Sequence, residues 1–489
     1  MSGDNTEIES SVQRERGKSL SGNLGVASIV FMVVATAAPL TVMVANTPLI
    51  ISMGNGAGAS FDVLVAAGIM LLFCVGFIAM SKYINNAGAF YSYVQKGLGR
   101  FLGMGTASTA IFSYSLILIA LETYLSFSIS GFLSDFLNIN VSWKYLTIII
   151  IAAVGFLGYQ KIELSSKVLS VVLVLEVSIV IILDFFISKN PNVTVFSDNL
   201  FSSQYIITGA PSLGILFAIY CFMGFESTVI YREEVKDPEK TIPRATYISV
   251  CLIGAFYIIS IWLEIVGVGT NSIVDFANNN PANMYMLLTE KFLGKTFSDT
   301  LQVLLITSLF ACVLSLHNII VRYQFVLSRN GAIHKSISYI HRKHGSPHIS
   351  SFIQTITSLV ILALVCYLKL DPVTQVYAWG AAAGTLGYML ILALTSASII
   401  VYFIRNKSKM NRWTVLYSPL LSLIAILSCL VVALKNLPLL IGGNDADAAA
   451  IIIKAFMLFI FLSGVLLAVY MRWKSPGSFA QLSSDNSLQ

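Results

Sequence analysis

Residues 35–41 read Ala35-Thr36-Ala37-Ala38-Pro39-Leu40-Thr41 and sit in the middle of an apolar run over residues 23–52. Proline has no amide hydrogen and disfavours helix at the residue before it, so the stretch predicts a helix broken partway along its length. A second interruption is written at Tyr220-Cys221-Phe222-Met223-Gly224-Phe225-Glu226, a glycine beside an acid inside the run 206–231. Non-helical backbone at membrane depth survives only against protein or a water-lined cavity. It frees amides and carbonyls, and the half-helix ends carry partial charge that can aim at a solute. Taken singly, Pro39 and Gly224 are ordinary kinks, because both residue types are common in membrane helices. Their positions in the first and sixth apolar runs correspond if runs 1–5 and 6–10 form two inverted repeats, and paired breaks of this kind point to a transporter's binding site.

The rest of the chain supplies the membrane context. Of 489 residues, 56% are hydrophobic and 11% charged, with a mean hydropathy of +0.80. Soluble domains carry about 25% charged residues, so lipid must be the solvent for much of this chain. Spanning a bilayer takes roughly 20 apolar residues. Runs of about that length occur at 23–52, 60–83, 101–133, 143–159, 165–187, 206–231, 246–268, 299–326, 349–368, 374–404, 414–434 and 450–472. With the N-terminus inside, 23 of the 30 lysines and arginines fall on the cytoplasmic side, which makes the helix count even and both termini cytoplasmic. The expected layout is a cytoplasmic tail over 1–21, a transport core over 22–404, two further helices over 405–473 and a cytoplasmic tail over 474–489. The first twenty residues lack an apolar run followed by a small-residue cleavage site, so no cleaved signal peptide is expected. The six cysteines all lie in apolar runs without a CxxC or Cys/His cluster, and read as buried small hydrophobes rather than disulfides or zinc ligands. The net charge of +6 is scattered through short loops and is no nucleic-acid footprint.

At these motifs the chain resembles the amino acid–polyamine–organocation permease superfamily, and the likeness covers residues 20–473. The resemblance is carried by Asn86-Ala87-Gly88-Ala89-Phe90-Tyr91-Ser92-Tyr93-Val94 running on to Gly97-Leu98-Gly99-Arg100. It is carried further by Phe217-Ala218-Ile219 leading into the second break, and by Glu233-Glu234-Val235-Lys236-Asp237-Pro238, Ile242-Pro243-Arg244-Ala245 and Leu327-Ser328-Arg329-Asn330-Gly331-Ala332-Ile333. It implies an all-α integral membrane fold of about twelve helices. That fold has a five-plus-five inverted-repeat core with helices 1 and 6 broken, plus two peripheral helices. It also implies alternating access, with uptake or exchange of an amino acid or amine. Substrate contacts are then expected at Ala35, Thr36, Ala37, Ala38, Pro39, Tyr220, Cys221, Phe222, Gly224 and Glu226. Where typical relatives bind the α-carboxylate on a glycine-serine-glycine stretch, this chain has alanines, threonine and proline, which leaves close backbone approach less free. A proline there is similar to putrescine importers, so a polyamine stays open beside an amino acid.

Five acids fall within apolar runs: Glu122, Glu176, Asp184, Glu226 and Glu264. An ionised carboxylate at the bilayer centre costs roughly 2.5 kcal/mol or more, so each needs a proton, a partner or water. By the resemblance, Glu176 stands where several proton-coupled relatives carry a lysine. It could carry a proton and release it when water enters. Ionised, it could instead join Thr307, Ser308 or Ser315 around a sodium ion. Glu122 is a further candidate for ion or proton coupling, while Asp184 and Glu264 lie nearer helix ends and read as structural. Tyr220 can close over a solute and offer its ring face to an ammonium group. His317 reads as a satisfied core histidine.

Other classes fit less well. Four of the five histidines crowd into the basic loop Asn330–Ser350 without the acids or cysteines of a mixed metal site, so a membrane enzyme is not expected. No phosphate-binding glycine motif precedes a helix, and no repeated filter or ring of like charge marks a channel. The expected partners are a small amino acid or amine and the lipid bilayer of the cytoplasmic membrane, with no nucleic acid and the chain as monomer or homodimer. No cofactor is expected; a proton or sodium gradient supplies the energy.

Overall fold

The computed structural model describes residues 24–84, 89–160, 163–193, 202–230, 235–341, 344–407, 410–441 and 446–482. The tail over 1–21, the motif residues Asn86 to Gly88, and Glu233 with Glu234 lie outside the described residues.

The described chain is helical, and its one β-bridge, Leu24 with Val235, ties the start of the first helix to the segment before Asp237. Helix α1 (Val26–Ala37) stops before Pro39. A looser stretch, α2 (residues 39–55), follows and alternates α turns with the wide π turns Val42–Asn46 and Ile50–Asn55. A turn at Gly56–Gly58 leads into α3 (Ala59–Ser81). Then come α4 (Ala89–Leu98), α5 (Arg100–Leu137), α6 (Trp143–Gly158) and α7 (Glu163–Lys189). The second interrupted span is α8 (Pro211–Tyr220) with the short α9 (Ser227–Ile230). Next stand α10 (Pro238–Val268), α11 (Ile273–Asn279), α12 (Met284–Leu293) and α13 (Lys295–Arg329). The chain continues through α14 (His348–Tyr367), α15 (Ala378–Arg405), α16 (Ser418–Lys435) and α17 (Ala446–Lys474).

Among the described residues, nine helical runs are long and apolar enough to cross a bilayer, and α6 and α8 are shorter apolar helices. The run Val26–Ser81, 56 residues, covers two of the expected spans. The long α5 is central, packed against α4, α6, α13, α15 and α17. Large apolar side chains point outward along the flanks: Trp473 is 84% exposed, Tyr367 82% and Val360 64%, as lipid-facing surface would be. The cysteines do not all lie inside. Cys74, Cys221 and Cys312 are buried, but Cys251 is exposed on α10 and Cys366 and Cys429 are half-buried. In lipid an apolar thiol is at ease on either face of a helix, so position in an apolar run says nothing about which face it takes.

Two glycines set how closely the two interrupted spans approach. A Cβ on Gly54 would come within 2.5 Å of the Gly214 Cα, and one on Gly214 within 2.0 Å of Asp62 Oδ2. The contact is locked by Ala210 N–H donating to Gly54 O at 2.9 Å. Small residues at a membrane-helix crossing exist for this close backbone approach. Gly54→Ala should therefore cost about 1–3 kcal/mol of overpacking. It should lower the thermal unfolding midpoint of the purified protein, whereas Gly68→Ala, which meets nothing within 4 Å, should not. Equal midpoints for the two variants would contradict this packing.

Candidate functional site

The first break forms because the chain cannot continue an α-helix into Pro39. Ala38 turns into the left-handed region (φ 46°, ψ 70°), and its N–H closes α1 by donating to the carbonyls of Val34 and Ala35. A side chain in that region costs roughly 1–2 kcal/mol, so the packing around Ala38 must hold it there. That packing comes from two other helices and from the second break. Tyr257 Oη of α10 donates to Ala37 O at 3.4 Å, and Cys312 Sγ of α13 donates to Thr36 O at 3.6 Å. The third contact is the second break itself. Gly224 adopts φ +103°, and a Cβ there would meet Thr36 Cγ2 at 2.7 Å. The two interruptions thus lie against each other, and only a residue without a side chain fits at 224.

Asn46 ties the far half of the first span to α8. Its Nδ2 donates to Phe217 O at 2.9 Å and to Cys221 Sγ at 3.1 Å, while its buried Oδ1 accepts no hydrogen bond among the described residues. Tyr220, at the end of α8, neighbours Cys221, Cys312 and Tyr377, and the ring of Tyr377 packs on Tyr124 with centroids 4.9 Å apart. The side chains around the junction are therefore aromatic rings, thiols, a hydroxyl and an amide.

The acids lie behind this junction. Glu226 is fully buried and accepts from three donors: Tyr114 Oη on Oε1, and Tyr388 Oη (3.2 Å) and the Gly224 amide (3.0 Å) on Oε2. It caps the second break, with both oxygens engaged. Glu176 accepts at Oε2 from Ser308 Oγ (2.7 Å), and Ser308 in turn accepts from Thr41 Oγ1 (3.1 Å). This chain of hydroxyls joins α2, α7 and α13 just past the first break. Thr307 takes no part, because its hydroxyl donates back to Leu304 O in its own helix. Glu122 accepts from Ser358 Oγ of α14 at 3.3 Å. Thr36 donates to Met32 O within α1. His317 is buried and bonded to Ser351 Oγ at 2.9 Å. In the basic loop, His341, His344 and His348 gather around the ring of Tyr159, at centroid distances of 4.8, 5.5 and 5.9 Å.

Sequence reasoning passed over Asp62, although it stands inside the run 60–83. It is buried at the start of α3, accepts from Asn55 Nδ2 at 3.4 Å and lies against the first turn of α8, where a helix N-terminus favours a carboxylate. Asn46 and the tyrosines 114 and 388 were equally silent in the sequence, being polar residues in apolar runs with no motif around them.

A family model described as amino acid permease matches residues 28–478. The chain is also similar to a branched-chain amino acid permease of Bacillus subtilis (strain 168), 21% identical over 451 residues that cover 88% of this chain and 90% of that protein. Uncharacterized transporters of Mycobacterium tuberculosis (strain ATCC 25618 / H37Rv) and Mycobacterium bovis (strain ATCC BAA-935 / AF2122/97) match 239 residues at 23% identity, covering 43% of this chain and 48% of each relative.

The clamp on Glu226 predicts an order of stabilities. Glu226→Ala strands two buried hydroxyls and an amide, at about 1–3 kcal/mol for each group left unsatisfied, whereas Tyr388→Phe removes one bond worth about 1 kcal/mol. The thermal midpoint should fall much further in the first variant; similar midpoints would show that Glu226 does not hold the break.

Proposed function

This chain belongs to the amino acid permease family, a multi-pass membrane transporter and not an enzyme, and from that premise we propose a proton-coupled carrier for a neutral, apolar amino acid. In this reading twelve spans form a five-plus-five inverted-repeat core over 22–404, with two peripheral helices over 405–473. The tails over 1–21 and 474–489 face the cytoplasm of a cell bounded by this membrane. No cofactor takes part.

One observation carries the substrate assignment: apart from Glu226, whose carboxyl is taken up by the Gly224 amide, Tyr114 and Tyr388, the side chains around the contact of the two breaks, Gly224 on Thr36, are uncharged. Residues 35–39 and 220–224 would hold the amino acid backbone. The unused Asn46 Oδ1 offers an acceptor for its ammonium, and Tyr220, Tyr257 and Tyr377 surround an apolar side chain. A polyamine needs a carboxylate at each ammonium, and the nearest one, on Glu226, already accepts from Tyr114, Tyr388 and Gly224. The Bacillus subtilis relative, whose name specifies branched-chain amino acids, supports the same choice.

Coupling is assigned to Glu176. Its hydrogen-bonded chain through Ser308 to Thr41 connects the proton-carrying carboxyl to the half-span that must move when the first break opens or closes. Ionised, the carboxylate would draw Ser308 and Thr41 towards it; protonated, it releases them. Alternating access then follows from rocking about the two breaks. Glu122, bonded to Ser358 across α5 and α14, has a structural role in this scheme.

Uptake of leucine into proteoliposomes tests the reading. One unit of pH difference is worth about 1.4 kcal/mol, enough for tenfold accumulation at one proton per substrate. The wild type should accumulate leucine under an acidic exterior and show no response to a sodium gradient. Glu176→Gln should bind leucine yet only equilibrate it. Normal accumulation by that variant, or accumulation driven by sodium, would contradict the assignment.

A further inference from the structure

Glu264 on α10 is 1% exposed, and neither of its carboxyl oxygens has a hydrogen-bond partner among the described residues. One turn earlier, on the same face, Ser260 Oγ donates to Asp184 Oδ2 of α7 at 2.6 Å. Asp184 is half-buried, more exposed than Glu264, and lies five residues before the end of α7 at Lys189. Tyr285 of α12 lies in electrostatic range of both acids, and its buried hydroxyl also has no partner among the described residues.

The neighbouring charges do not neutralise this group. Among the described residues, Lys291 of α12 donates to Gly267 O at 2.9 Å and makes no ion pair with either acid, and Lys189 of α7 lies over the Phe185 ring. Asp275 of α11 and Glu290 of α12 are exposed, and Tyr257 of α10 is bonded to the first break. The carboxylates that pair with a lysine or arginine among the described residues are Asp237, with Lys240, and Asp299, with Lys295, both elsewhere. Two adjacent carboxyls in such a place cannot both be ionised without a cation, and a buried carboxylate with no donor at all is the dearer of the two.

We propose that Glu264, Ser260, Asp184 and Tyr285 form a second proton-binding site, separate from Glu176, in which one proton resides on Glu264 and reaches water through Ser260 and Asp184. A hydroxyl can donate and accept at once. Neither Glu264 oxygen is hydrogen-bonded to Ser260 Oγ at rest, so a rotation of the Glu264 side chain first brings the two together. Then, as the Glu264 O–H bond breaks, its proton forms a new bond to Ser260 Oγ, while the former Ser260 proton moves to Asp184 Oδ2. The pair holds one negative charge throughout, until Asp184 gives its proton to water and two charges remain. Their repulsion falls between α7 and α10, beneath α12. Helix α12 packs on α7, α10 and α13 and covers the π turn Val42–Asn46, which carries Asn46. Loss of the proton therefore loosens the cover over one end of the first span, and this end of the carrier closes when the site is protonated.

Infrared spectroscopy of the purified full chain tests this without relying on transport, so its outcome is independent of the substrate and of Glu176. The wild-type-minus-Glu264→Gln difference spectrum at neutral pH should contain the C=O stretch of one protonated carboxyl. Tyr285→Phe should shift that band, and Ser260→Ala should slow its hydrogen–deuterium exchange at least several-fold. A difference spectrum without the band, or a wild-type band that disappears on adding sodium or potassium ions, would overturn the proposal. Should Glu264→Gln fail to fold, a Tyr285→Phe spectrum with every carboxyl band unmoved would overturn it as well.

Discussion

Backbone that leaves the helix inside lipid must find its hydrogen bonds within the protein, and the whole arrangement follows from how two such stretches satisfy each other. Pro39 forces the first break, and the left-handed Ala38 closes the helix before it. The carbonyls around it are met by Tyr257 and Cys312 from two other helices. The second break presses Gly224 against Thr36 and is capped by Glu226, which is itself held by tyrosines from α5 and α15. Each interruption packs against the other and is bonded by the helices around them. A local weakness in two spans has become the fixed point of the molecule.

Charge is handled with the same economy. Four of the described acids inside the spans are met by hydroxyls and amides and have no lysine or arginine as ion-pair partner: Glu226 by two tyrosines and a backbone amide, Glu176 by Ser308, Glu122 by Ser358, Asp184 by Ser260. Hydroxyls are suited to groups that change protonation, because the same oxygen can donate to a carboxylate or accept from a carboxylic acid. An arginine would pin the charge instead.

The breaks themselves were legible, because proline and glycine act on the backbone wherever they stand. The apolar runs were legible too: residues 26–81 hold the first two of them, the first broken at Ala38 and the turn Gly56–Gly58 dividing it from the second. The neighbourhood of Glu176 was half readable. Adjacent helical residues point about 100° apart, so Ser308 reaches the carboxyl while Thr307 turns back on its own helix. What could not be read was the partnership of Glu226 with Tyr114 and Tyr388, which are 112 and 162 residues away and look like any other tyrosines in apolar sequence. Nor could the lipid-facing side of α10 be found, since a helix that is apolar all round carries no amphipathic signal to place Cys251. The histidine cluster at Tyr159 was hidden for the same reason: only the fold brings residue 159 to the loop that follows α13.

The central claim is that one small amino acid sits where the two breaks meet. A cryo-electron microscopy map of the protein with a saturating transported amino acid tests it most directly. The account predicts ligand density in contact with residues 35–39 and 220–224, its ammonium towards Asn46, with both spans still interrupted. Density at any other place in the helix bundle, or an unbroken α-helix running through Ala38 and Gly224, would contradict it.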